Sequence, residues 1–128
     1  MTMKFGKEVH TKNGITSSLD TWSISGDYKT LQSPSGIQVP LEAEAHFVFE
    51  CEDVVVVCLD IERANNVVAY ESDGTLRWRF CKEPLPNLRY WYFGGECIEN
   101  QLVRLYTFDS EHDVDVKTGE LLDARQAK

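Results

Sequence analysis

Two stretches of this chain, forty-five positions apart, carry one strand–turn–strand pattern. The first runs from Asn66 to Trp78 (NVVAYESDGTLRW) and the second from Glu111 to Asp123 (EHDVDVKTGELLD). Each opens on strand formers, passes through a polar turn closed by glycine, and resumes a strand near a leucine. Asp73-Gly74 and Thr118-Gly119 supply the residue that tight hairpin turns require, because only glycine takes positive φ without a Cβ penalty. Two such units place the chain in the meandering antiparallel class.

The rest of the chain agrees. Ile37, Val39, Leu41, Ala43, Ala45, Phe47 and Phe49 hold every odd position, while Gln38, Pro40, Glu42, Glu44, His46, Val48 and Glu50 hold the even ones. Period-two alternation predicts a strand with one buried face and one wet, acidic face, on which His46 is exposed. Pro40 removes a ladder donor, so the strand bends, ends or lies at an edge there. A helix over Leu41–Phe49 is the rival that its Glu and Ala content allows, but the alternation outweighs it. Val54–Leu59 is apolar throughout, which predicts a central strand covered on both faces. Further strands are expected at Thr21–Ile24, Tyr28–Leu31, Thr75–Phe80, Leu88–Phe93 and Leu102–Phe108. Ser25-Gly26-Asp27, Ser33-Pro34-Ser35-Gly36 and Gly94-Gly95 read as turns. Glu42, Glu44, Glu50 and Glu52 would guard exposed edges.

The expected architecture is all-β: an antiparallel meander of about 8–10 strands, at the usual spacing for such folds. It forms a small sheet or sandwich of blade-like units in one domain over 1–128. Residues 11–36 are loop-rich with short strands, 37–122 form the main meander, and 123–128 fray. At 128 residues and 42% hydrophobic the chain can bury a core without staples. Cys51, Cys58, Cys81 and Cys97 are therefore expected to be buried free thiols. No apolar run approaches the roughly 20 residues that span a bilayer. The N-terminus lacks the apolar stretch of a secretion signal, so the expected compartment is the cytoplasm.

The phrase from Val68 to Trp78 resembles the blade signature of quinoprotein-type β-propellers, in which a D-x-x-G-like turn precedes a tryptophan that packs between blades. The segment from Val114 to Leu122 is similar to the V-D-x-x-T-G-x-x-L form of that signature, and the spacing is blade-sized. The resemblance implies hairpin geometry with Trp78 in the core. Two copies cannot close a ring, so a closed propeller is not expected. Asp123 stands where the second tryptophan would be, and no quinone or other cofactor site carries over. In size, acidity and design the chain also resembles small stand-alone bacterial immunity proteins, which implies a partner toxin.

Charge narrows the partner class. Thirteen basic against twenty-one acidic residues give a net charge of −8, unsuited to nucleic acid or anionic membrane. Asp109, Glu111, Asp113 and Asp115 alternate, so an extended chain puts four carboxylates on one face. Such a row is a solvated hairpin face, a contact for a basic protein, or a calcium site, though it lacks the glycine and terminal glutamate of an EF-hand loop. Tyr90, Trp91, Tyr92 and Phe93 place aromatics on both sides of one strand, one side for the core and one offering Tyr90 and Tyr92 to a partner or stacked ligand. His10, His46 and His112 have no metal-type spacing, the cysteines form no C-x-x-C pair, and no nucleophile elbow or phosphate loop is present.

These features predict a non-catalytic protein-binding domain without cofactor or metal, monomeric or a small homo-oligomer. Its sharpest form is an immunity protein neutralising a basic toxin, such as a nuclease. A module assembling through sheet edges is the alternative, as is a small-molecule binder or enzyme with dispersed site residues.

Overall fold

The computed structural model describes residues 3–4, 9–10, 16–17, 19, 21–61, 65–80 and 91–126. Among them lie fourteen strands and no helix. In chain order these are β1 (Met3–Lys4), β2 (Val9–His10), β3 (Thr16–Ser17), β4 (Ser23–Ser25), β5 (Thr30–Gln32), β6 (Gln38–Pro40) and β7 (Ala45–Cys51). They continue with β8 (Val54–Leu59), β9 (Val67–Glu71), β10 (Leu76–Phe80), β11 (Gly94–Ile98), β12 (Leu102–Tyr106), β13 (Ser110–Asp115) and β14 (Leu121–Gln126). Three four-stranded sheets result, ordered β1-β4-β5-β6, β7-β8-β9-β10 and β11-β12-β13-β14, with β2 and β3 paired separately. Every pairing is antiparallel. The all-β, blade-like architecture is as expected, with more strands, because the two-residue strands β1–β3 precede the first expected one and the expected Ile37–Phe49 strand divides into β6 and β7.

The second sheet is the middle layer, and β8 shows why. Val54, Val56 and Cys58 enter one apolar cluster with Trp78, Phe80, Val103 and Leu105. Val55, Val57 and Leu59 enter another with Trp22, Ile24, Leu31 and Val39. All six are essentially inaccessible. A continuous run of β-branched residues suits a strand buried on both sides. Each such side chain contributes about 1.5–3 kcal/mol relative to exposure, so β8 joins the two cores.

The wet face expected on the Ile37–Phe49 strand is not there. The chain bends after Pro40, and a bulge between Ala45 and Phe47 shifts the register by one residue. Ala45 and Val48 therefore face the first sheet, while Phe47, Phe49 and Cys51 face the third. His46 is half-buried. Glu50 is no edge guard: its carboxylate accepts bonds from the Thr21 and Trp22 amides and the Thr21 hydroxyl, tying the entry of β4 to β7. Glu42 pairs with Arg79 at 2.5 Å.

The turn glycines register one sheet on the next. Gly74 has φ +89°, and a Cβ there would stand 2.7 Å from Ile37 of the preceding sheet. Gly119 has φ +76°, and its Cβ would meet the Trp78 ring at 2.7 Å. Trp78 packs between sheets as the blade resemblance implied, its indole N–H donating to the Val116 carbonyl at 2.9 Å. The β5–β6 turn ends on a third such glycine, Gly36, with φ +90° and open space around it. The meander thus has three units where the sequence showed two.

Three further expectations are corrected. Gly94 and Gly95 begin β11, not a turn; a Cβ on Gly95 would lie 2.7 Å from the Arg104 carbonyl oxygen and 3.0 Å from the Phe49 ring, so close packing excludes a side chain. The tail expected to fray from Asp123 is strand through Gln126, paired with β13. Cys51 and Cys97 are not free thiols but a disulfide joining β7 to β11, with Cα atoms 5.1 Å apart. Two innermost strands packed side by side bring the sulfurs within bonding reach. Cys58 is free and buried, and desolvation pushes its thiol up to about 12. Cys81 lies outside the described residues, as does most of the expected Leu88–Phe93 strand; Trp91–Phe93 is irregular.

Candidate protein interface on the third sheet

Three of the four predicted acidic residues, Glu111, Asp113 and Asp115, share one face of β13, and that face is the outer surface of the third sheet. Register places Glu96, Arg104, Asp113 and Asp123 in one row across β11, β12, β13 and β14. Tyr106, Glu111 and Arg125 form a second row, and Leu102 and Asp115 a third. The opposite face of β13 sends Val114 into the core and His112 onto Tyr92.

The carboxylates are organised by two arginines. Asp113, only 7% exposed, receives Arg104 through Nε at 2.9 Å and Nη2 at 3.3 Å. Arg125 reaches the same carboxylate through Nη1 at 3.1 Å and Nη2 at 3.2 Å. Arg125 also donates to Glu111 at 2.9 Å and to Asp123 at 3.0 Å. Hydrogen bonds from Arg104 and then Arg125 hold the Asp113 carboxyl below its usual range, although desolvation works against them. Asp113 in return raises both guanidinium groups. Such forked, charge-assisted bonds fix side chains more firmly than lone surface pairs do.

Five carboxylates (Glu96, Glu111, Asp113, Asp115 and Asp123) face two arginines here, so the ladder is locally acidic despite its internal pairing. Asp115 closes the β13–β14 turn by accepting from the Lys117 and Thr118 amides at 2.8 and 3.0 Å, and these bonds lower its pKa. Asp109 sits in the β12–β13 turn, where the Thr107 hydroxyl reaches it at 3.4 Å. Beside Asp115 a polar cleft of about 250 Å³ is lined by Glu52, Asn100, Gln101, Asp115, Val116 and Lys117. Among the described residues no three His, Cys, Asp or Glu side chains converge as a metal site would need.

Tyr92 does not belong to this surface. It is fully buried, edge-on to Phe80 and His112, and hydrogen-bonded through its hydroxyl to His112 Nδ1. Burial raises its phenol above the ordinary value. Tyr92 meets the core because its irregular segment crosses from the second sheet to the third, which alternation within one strand could not reveal. Tyr90 lies outside the described residues. Sequence reasoning also missed Arg104, Arg125 and buried Asn66. The Asn66 amide donates to the Leu59 and Tyr92 carbonyls at 2.8 and 2.7 Å, and its oxygen accepts from the Tyr92 amide at 3.1 Å. Nothing in the acidic alternation pointed to the arginines, which come from the neighbouring strands β12 and β14; Asn66 looked like ordinary loop.

A family model described as a domain of unknown function (DUF7957) matches residues 22–126. The chain belongs to the DUF7957 family. No curated protein matches it in sequence. Among solved structures, BamB from Moraxella catarrhalis is similar with a TM-score of 0.56 and 15% identity, over 86% of this chain and 33% of that one. This DUF7957 chain thus spans about a third of BamB's length. Likeness at that identity shows fold alone, and the fold is propeller-blade-like. Among the described residues no helix is long and apolar enough to cross a membrane.

Proposed function

We propose that this domain is a non-catalytic binding module whose outer third-sheet face receives a basic protein. The observation that supports this reading is the ladder itself. It is held in place by forked ion pairs and carries three more carboxylates than guanidinium groups. A preorganised surface loses little entropy on binding, and its charge sign steers basic partners and repels acidic ones. Asp123, 63% exposed at its side chain, and exposed Glu96 have most room for a partner's lysine or arginine, with Glu111, at 28%, between two of the ladder's strands. In its sharpest form the module is an immunity protein, and the partner a basic toxin such as a nuclease.

Affinity capture from the native host at low salt tests the reading. One basic protein should co-purify in stoichiometric amount and be lost when Glu111 and Asp123 are both changed to lysine. Expressing that partner alone should arrest growth, and co-expressing this domain should relieve the arrest. Capture that yields no basic protein, or one indifferent to the charge reversal, would sink the interface; a harmless partner would sink only the immunity role.

A further inference from the structure

Four-stranded sheets that stand apart leave edges, and an uncovered edge offers unpaired backbone donors and acceptors. The outer edges here are β6, β10 and β14. β6 has three residues, one of them Pro40, which has no amide hydrogen to donate. β10 has a bulge between Leu76 and Trp78, and its Trp78 and Phe80 are buried against the third sheet. β14 differs from both. Its six residues are exposed except for half-buried Arg125, so no described segment covers them, and they include Leu121 and Leu122. From Asp123 to Gln126 its pairing with β13 is regular, and it contains neither proline nor glycine.

We propose that β14 is a homodimerisation edge: two copies pair antiparallel about Ala124, joining their third sheets into one eight-stranded sheet. The register follows from side-chain chemistry. Antiparallel pairing centred on Ala124 places Ala124 opposite its own copy, where a methyl group crosses the two-fold axis without a clash. It sets Asp123 opposite Arg125 of the second copy and Arg125 opposite Asp123, two opposite-charge pairs related by the axis. Both residues already share the outer face, since Asp123 pairs with Asp113 and Arg125 with Glu111 across β13. Directly opposed opposite charges stabilise a strand pair and like charges oppose it. Centring the pair on Asp123 or on Arg125 would oppose like charges, so the strand's own sequence selects Ala124. The arrangement is isologous and closes at two. It forms through the backbone of the edge and shares only Asp123 with the carboxylates of the basic-partner reading, which it goes beyond; substitutions at Ala124 leave the outer-face residues unchanged.

Light scattering coupled to size exclusion, from micromolar to millimolar protein, reads the assembly directly. The mass should rise from one chain to two and stop there. Ala124→Cys should form a covalent dimer under mild oxidation, absent in the unsubstituted chain, because facing Cβ atoms on paired strands lie about 4.5–5.5 Å apart. Ala124→Glu should abolish the dimer while circular dichroism and melting show the monomer folded, since it opposes two carboxylates across the axis. A chain that stays monomeric throughout, a dimer that Ala124→Cys does not cross-link, or one that Ala124→Glu leaves intact would each overturn the proposal. The basic-partner capture is scored separately, so failure of either does not pass for failure of the other.

Discussion

Gly119 shows how one residue sets the spacing between two sheets. Its left-handed φ of +76° is strained for any side chain, and a Cβ would sit 2.7–2.9 Å from the Trp78 ring. That ring cannot readily yield, because its N–H is bonded to the Val116 carbonyl in the same turn. Gly36 occupies the corresponding turn of the first sheet with a similar φ and nothing within 4 Å. The pair separates backbone strain from packing. Gly36→Ala should cost about 1–2 kcal/mol, the penalty of the left-handed conformation alone. Gly119→Ala should cost about 1–3 kcal/mol more, from overpacking against the indole. Urea denaturation of the two variants beside the parent measures the difference, and equal losses would show that the Trp78 contact does not set the sheet spacing. The turn glycines were legible because a turn announces itself within four residues. What Gly119 presses against was not, since Trp78 comes to it from another sheet.

Among the elements, β8 was the most readable and β7 the least. A run of six apolar residues can be placed centrally with no knowledge of its neighbours. The alternation through β7 was real, but a bulge at His46 moved its residues onto the opposite face, and a bulge leaves no mark in a hydrophobic pattern. The same blind spot hid the disulfide, because nothing in a 46-residue separation says that β7 and β11 run side by side. That link carries a measurable share of stability. Closing a loop of 46 residues removes unfolded-state entropy worth about 4 kcal/mol by the chain-entropy relation. Reduction, or Cys51→Ser with Cys97→Ser, should therefore lower the melting temperature substantially. Hydrogen exchange should rise more in β11 and β12 than in β4 and β5, whose core the link does not touch. Peptide mapping without reductant should recover Cys51 joined to Cys97; free thiols at both positions with an unchanged melt would refute the staple.

At the scale of the molecule, a propeller-like arc must finish on faces that do not invite another blade. The middle sheet is apolar on both sides, whereas the third is apolar within and charged without. Asp123 occupies the position at which the preceding unit carries Trp78, and Arg125 binds it to Glu111 and Asp113 in one ladder. The acidic row was readable from its alternation; its pairing was not, because the arginines come from neighbouring strands. An ion cluster of this kind adds little net stability over an apolar replacement of similar volume, so specificity of assembly is the better account of it. Changing Arg104, Asp113 and Arg125 together to leucine should leave the secondary structure and melting temperature near those of the parent. The outer face would then resemble the interior of an arc, and large exposed apolar patches drive association. Sedimentation velocity should show species beyond the parent's own assembly state, insensitive to salt because the new contacts are apolar. A triple variant that stays folded and sediments like the parent would mean that the charged face is not what ends the arc.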